Sequence, residues 1–183
     1  MTFSSDLDSF NLWHHPLYTD GIHEEARFPR ERYQMLLKRL EDSDQSQNIR
    51  LRLPESISRE TLLLAHDSDY VDGFLRGTLS EKEMRRIGLT PWTPKMIERT
   101  LRLTSGAVEA TIHAVENGGV TANMAGGTHH AHRDYGSGYC VFNDLAISAL
   151  YALENLGVKR VAILDLDVHQ GDGTATILSD EER

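Results

Sequence analysis

Three side chains that can bind a metal or move a proton stand at every second position of "LDLDVHQGDG", residues 164–173: Asp165, Asp167 and His169. In extended chain, residues two apart share a face. Val161 and Ile163 lie earlier on that same face, so polarity rises toward the end of the segment. A carboxylate and an imidazole side by side make two donors for a divalent cation, and zinc suits mixed nitrogen and oxygen ligands. Gly171 and Gly173 then allow a tight turn around Asp172. Taken singly the pattern is weak, because a strand ending in a capping carboxylate and a solvated histidine has the same letters.

A second block narrows the choice. In "AGGTHHAHRDYGSGYCVFND", residues 125–144, Gly126 and Gly127 free the backbone just before the adjacent pair His129 and His130. Neighbours in extended chain cannot share a face. An imidazole suits proton transfer near neutral pH, and its second nitrogen needs an orienting partner, often a carboxylate. Asp165 and Asp172 are two carboxylates for two histidines. Gly138 and Tyr139 pair a small residue with an aromatic one, which suits the wall of a narrow groove. A histidine-rich surface loop and a core tyrosine are the plain alternatives.

The elements that must position these groups follow from periodicity and caps. "FNLWHHPLY" (10–18) opens as a strand, and from Pro29 the spacing of Tyr33, Leu36, Leu37 and Leu40 predicts a helix. "NIRLRLP" (48–54) alternates like a short strand stopped by Pro54. Ser58 and Ser80 are caps for short helices, with a further helix in "HDSDYVDGFLRG" and a stop at Gly88. Residues 94–117 form the clearest helix, with Ile97, Leu101, Val108, Ile112 and Val115 on one stripe. "GGVTANMAGG" reads as a strand closing in glycines, and "NDLAISALYALENLG" as an apolar helix ending at Gly157. "KRVAILDLDV" is apolar on both faces, the pattern of a central strand in a parallel sheet. The layout is α/β, and sites in such sheets lie at the carboxyl ends of strands. Both polar clusters follow such strands.

Composition bounds the rest. A chain of 183 residues, 39% hydrophobic and 26% charged, suits one globular domain, and no repeat or linker divides residues 1–183. The formal net charge of −9 argues against general binding of nucleic acid or an anionic membrane. Cys140 is the only cysteine, which excludes an internal disulfide and fits a reducing compartment. "MTFSSDLDSF" lacks the pattern of a secretory signal, and no apolar run has the length of a membrane span. A cytoplasmic location is the expectation.

Together "GGTHHA", "GSGYCVFND" and "LDLDVHQGDG" resemble the zinc-dependent deacetylase family of histone deacetylases, acetylpolyamine amidohydrolases and acetoin-utilisation proteins, in the family's order and spacing. "RFPRERY" (27–33), "HDSDYV" (66–71) and "RRIGLTPWTP" (85–94) extend the resemblance upstream, nearest to the bacterial and class IV branches. It implies an arginase/deacetylase-type parallel sheet flanked by helices. It implies Asp167 and His169 as two of three zinc ligands, with His129 and His130 oriented by Asp165 and Asp172. His130 would be the general base, His129 mainly electrostatic, and Gly138 and Tyr139 would line the acyl-lysine channel. The backbone around Asp165, Asp167 and His169 would help hold a structural potassium ion. The reaction implied is hydrolysis of an acetyl-amide, of acetyl-lysine or acetylpolyamine type, to an amine and acetate.

Two parts of the family pattern are not met within 183 residues. The third zinc ligand, an aspartate, and an oxyanion-stabilising tyrosine come later in the family. Asp67, Asp69 and Asp72 are upstream carboxylates whose helical setting matches nothing in it. Two later strands of the family's sheet also lie between its third and fourth strands, so the fold is expected to be incomplete on its carboxyl-terminal side. Activity is then expected only with a second chain or self-association completing the sheet. Two other functions stay open: a non-catalytic binding or assembly module, and a binuclear-metal ureohydrolase. The latter wants a carboxylate two residues after the metal-binding histidine, where Gly171 stands.

Overall fold

The computed structural model describes residues 10–183. The expectation about a secretory signal falls mostly on residues outside these. Strand β1 (Phe10–Trp13) lies between β2 (Ile49–Arg52) and β3 (Thr121–Asn123), and both pairings are parallel. The register sets Leu12 beside Leu51 and Ala122. A short helix, α1 (Leu17–Asp20), and α2 (Arg32–Glu41) follow β1. Helices α3 (Arg59–Leu62), α4 (Ser68–Leu75) and α5 (Glu81–Ile87) link β2 to the long helix α6 (Met96–Asn117). Helix α7 (Asp144–Asn155) follows the histidine block, and α8 (Asp172–Ile177) follows the Asp–His segment. Among the described residues no helix is long and apolar enough to cross a membrane.

The helix starts are set by local chemistry. Ser58 accepts the amide of Thr61, and Ser80 and Glu83 form a reciprocal capping box that fixes the start of α5. Asn143 caps α7 by accepting the amide of Ala146. Helix α6 is anchored to the sheet through side chains: Trp13 Nε1 donates to Glu109 at 2.7 Å, and Asn123 Nδ2 donates to the Leu103 carbonyl at 2.9 Å. The core lies among α3, α4, α5, α6 and α7, around Phe74, Phe142, Leu62, Met96 and Ile147.

The sequence expectations hold less well at three places. Helix α2 forms, yet of its apolar stripe only Tyr33 is buried; Leu36 is 45% exposed. Helix α8 replaces the simple turn expected around Asp172. The largest difference is at 160–168. This stretch runs without strand pairing, and Leu164, Leu166 and Val168 are 82, 84 and 93% exposed. A cleft of about 820 Å³ separates it from β3, lined among others by Ala122, Ala149, Ala152, Val161 and Ile163. A strand needs neighbours for its amides and carbonyls as well as for its apolar faces, and no described element lies in the cleft to supply them.

Phe142 is fully buried, with the rings of Phe74 and His66 each 5.1 Å away and Tyr70 at 5.8 Å. Phe142→Ala should therefore lower unfolding free energy by about 3–5 kcal/mol in denaturant titration, the range for an aromatic truncated in a packed core. A loss below about 1 kcal/mol would place the core elsewhere.

Candidate active site

The histidine loop leaves β3 through Gly126 and is clamped by Asp144, the first residue of α7. Asp144 accepts the amides of Gly127 at 3.0 Å and Thr128 at 2.8 Å, and the Thr128 hydroxyl at 2.6 Å. Gly126 has φ +123°, and a side chain there would run into Asp144 Oδ2, so both its backbone angle and its surroundings require glycine. Burial pushes the Asp144 carboxyl above the usual carboxylate range, while its Thr128 and Gly127 donors oppose the rise.

A second strut runs through His66, at the end of the turn before α4. A carbonyl only accepts and an amide only donates, so its partners settle its tautomer. Nδ1–H donates to the His132 carbonyl at 2.9 Å, and Nε2 accepts the amide of Asn143 at 2.9 Å. Burial holds the His66 pKa down at about 4. Asn143 Nδ2 donates to the Ala131 carbonyl at 3.0 Å and pairs with the Thr174 hydroxyl, while the Thr174 amide donates to the His129 carbonyl at 3.1 Å. The loop, α7 and α8 are thus joined by buried hydrogen bonds rather than by a sheet.

On this frame sit the paired histidines. His129 Nδ1–H donates to Asp165 Oδ2 at 2.6 Å, and His130 Nδ1–H donates to Asp172 Oδ1 at 2.8 Å. The two rings are 4.1 Å apart between centroids, and His169 lies 6.0 Å from His130. With Nδ1–H committed to a carboxylate, each neutral ring carries its lone pair on Nε2. The bond from His129 holds the Asp165 carboxyl below its ordinary range, and that from His130 takes Asp172 down to about 2. Gly138, at φ +54°, backs His130: a β-carbon there would come 2.7 Å from the ring's Cδ2. Tyr139 also has positive φ, +67°, and stands 44% exposed with its ring edge-on to Phe28 at 5.4 Å. It forms a rim rather than part of the core.

Asp167 and His169 form a compact unit. Asp167 Oδ1 accepts both the amide and Nδ1–H of His169, each at 2.8 Å, and the His169 amide comes first in lowering the Asp167 pKa. These two donors are of the kind zinc takes, and a catalytic zinc site normally has three protein ligands. Among the described residues no group of three His, Cys, Asp or Glu side chains comes together to hold a metal. The upstream carboxylates do not serve: Asp72 is paired with Arg59 at 2.6 Å, and Asp67 and Asp69 line a separate cleft with Arg76 and Asp134. The donor chemistry therefore suits the ion, and the donor number falls short.

Sequence reasoning left His66, Thr128, His132, Asp144 and Thr174 without a role. Asn143 alone carried a local signal, an asparagine at the head of a helical pattern.

Comparison with known proteins follows the same residues. The model of the histone deacetylase domain matches residues 26–183. An uncharacterised protein of Picosynechococcus is 42% identical over 172 residues, 94% of this chain and 57% of that protein. A protein of Methanothermobacter thermautotrophicus described as a probable deacetylase is 31% identical over 170 residues, 90% of this chain and 49% of its own length. The acetoin utilization protein AcuC of Staphylococcus aureus is 32% identical over 129 residues, covering 66% of this chain and 33% of AcuC. The chain thus spans from a third to little over half the length of these relatives.

His66 gives the fold a defined acid sensitivity. Its folded pKa, about 4, lies below the ordinary 6.5, so the unfolded chain takes up this proton first as pH falls. The contribution is flat above pH 6.5, declines between 6.5 and 4, and reaches a loss of about 3 kcal/mol below that. His66→Gln should flatten the stability–pH curve in that window by about one proton, read from denaturant unfolding at stepped pH. An unchanged slope would mean that His66 titrates normally.

Proposed function

We propose that this chain, which belongs to the histone deacetylase domain family, carries the proton-handling half of a zinc-dependent deacylase site. The observation that supports this most is the pair of His–Asp dyads, 2.6 and 2.8 Å, whose rings stand 4.1 Å apart beside Asp167 and His169. The reaction is hydrolysis of an acetyl-amide, of acetyl-lysine or acetylpolyamine type: the C–N bond breaks, a C–O bond forms from water, and amine and acetate leave.

Asp167 and His169 would hold a zinc ion together with a third ligand from outside the described residues. What such an ion supplies when bound is Lewis acidity toward a water and the amide carbonyl. His130 Nε2 takes the water's proton and returns it to the departing nitrogen, while Asp172 fixes the opposite side of the ring. His129, tied to Asp165 and largely enclosed, contributes charge and shape. Gly138, whose bare α-carbon lets the His130 ring pack against it, and Tyr139 line the entrance for a narrow acyl chain. The domain is one unit, continued by polypeptide that fills the cleft between β3 and 158–164. The exposed Leu164, Leu166 and Val168 support that continuation. That polypeptide brings the third ligand and the oxyanion donor. A non-catalytic binding module is the second reading, favoured by the two-donor count alone.

In the whole protein, His130→Ala should lower kcat on a fluorogenic acetyl-lysine substrate by roughly a hundredfold or more, with zinc content unchanged by elemental analysis. His169→Ala should lose the zinc. Chelator-resistant turnover, or full zinc and activity in both variants, would refute these roles. No turnover in the wild type, with zinc stoichiometrically bound, would favour the binding module.

A further inference from the structure

Both dyad carboxylates have a second oxygen, and the structure secures each in a different way. Asp165 accepts Nδ1–H of His129 on Oδ2 and the backbone amide of Asp167 on Oδ1 at 3.0 Å. Asp172 accepts Nδ1–H of His130 on Oδ1 at 2.8 Å, and its Oδ2 accepts Nε2–H of His132 at 3.3 Å. We propose that His132 is a positioning residue, which fixes the roll of the Asp172 carboxylate and through it the ring of His130. The proposal rests on the reading of His130 as the base.

The need for a second donor is physical. The terminal torsion of an aspartate is broad and nearly two-fold. The Asp172 side chain is 49% exposed, so a carboxylate held at one oxygen would be free to swing toward water. His132 is built to prevent this. Its ring stacks on Tyr135 at 4.5 Å and 19° between planes, and the Arg86 guanidinium covers Tyr135 at 4.5 Å. Its amide donates to the Tyr135 carbonyl at 2.8 Å, and its own carbonyl accepts Nδ1–H of His66. Ring and backbone are both held, so the Nε2–H direction is set before any substrate arrives. At Asp165 a main-chain amide does the same work, which only proline at 167 would remove; at Asp172 the work falls to a side chain.

The test uses the metal-free whole protein with 15N-labelled histidine, reading the Nδ1–H resonances of His129 and His130. His132→Phe keeps the stack on Tyr135 and removes the donor. It should broaden the His130 Nδ1–H resonance into solvent exchange while that of His129 stays sharp. His132→Gln, which restores an N–H donor, should recover the His130 signal. An equally sharp His130 signal in His132→Phe would overturn the proposal. So would simultaneous loss of both signals, which would make His132 a mere support of the loop, or a failure of His132→Gln to recover the signal. The readout needs neither zinc nor substrate, so failure here is distinguishable from failure of the deacylase reading.

Discussion

The segment 158–169 carries Asp165, Asp167 and His169, and it is held at its ends rather than along its length. Val161 N–H donates to the Arg183 carbonyl at 2.9 Å near one end. At the other end, Asp165 is tied to His129, and α8 docks on the histidine loop through Thr174 and Asp172. Between them, residues apolar on both faces run without ladder partners. Every distance in the site depends on those end attachments, because the paired histidines stand on one element and the Asp–His unit on the other.

The two attachments differ in kind. Around Asn143, Asp144, Thr128 and His66 the bonds are buried, mostly neutral, and made to backbone groups that would otherwise go unsatisfied. They fix the loop whether or not a ligand is present. Around His129, His130 and His169 each imidazole meets a carboxylate, in places half open to water. These carboxylate–imidazole pairs contribute little stability where exposed, but they determine which nitrogen of each ring can take a proton. Rigid buried struts therefore surround half-open carboxylate–imidazole pairs, an arrangement suited to general base chemistry.

Much of this was legible in the sequence where the cause is local. Ser58 and Ser80 caps, the stripe of α6 from Ile97 to Ile112 (Val115, at its end, is exposed), and the β-strand patterns before Pro54 all depend on neighbours within a few residues. The unpaired state of 160–168 was not legible from its letters, since apolar residues on both faces specify a central strand and say nothing of whether partners are present. The resemblance to the deacetylases did point to a gap beside it. His66 and His132 were hidden for the opposite reason. Their partners lie 66 and 40 residues away in sequence, and a histidine has no periodicity that marks it as a strut. Helix α8 was lost because its six residues follow Gly171, include Gly173 and offer one short apolar turn.

The central claim is that 158–169 is a strand of a larger sheet, positioned for chemistry when both of its edges are filled. Amide hydrogen exchange in the whole, zinc-loaded protein tests it most directly. The account predicts protection of the amides of residues 162–168 comparable with that of β1. Exchange there at the rate of an open chain, in a protein that binds zinc and turns over substrate, would contradict it.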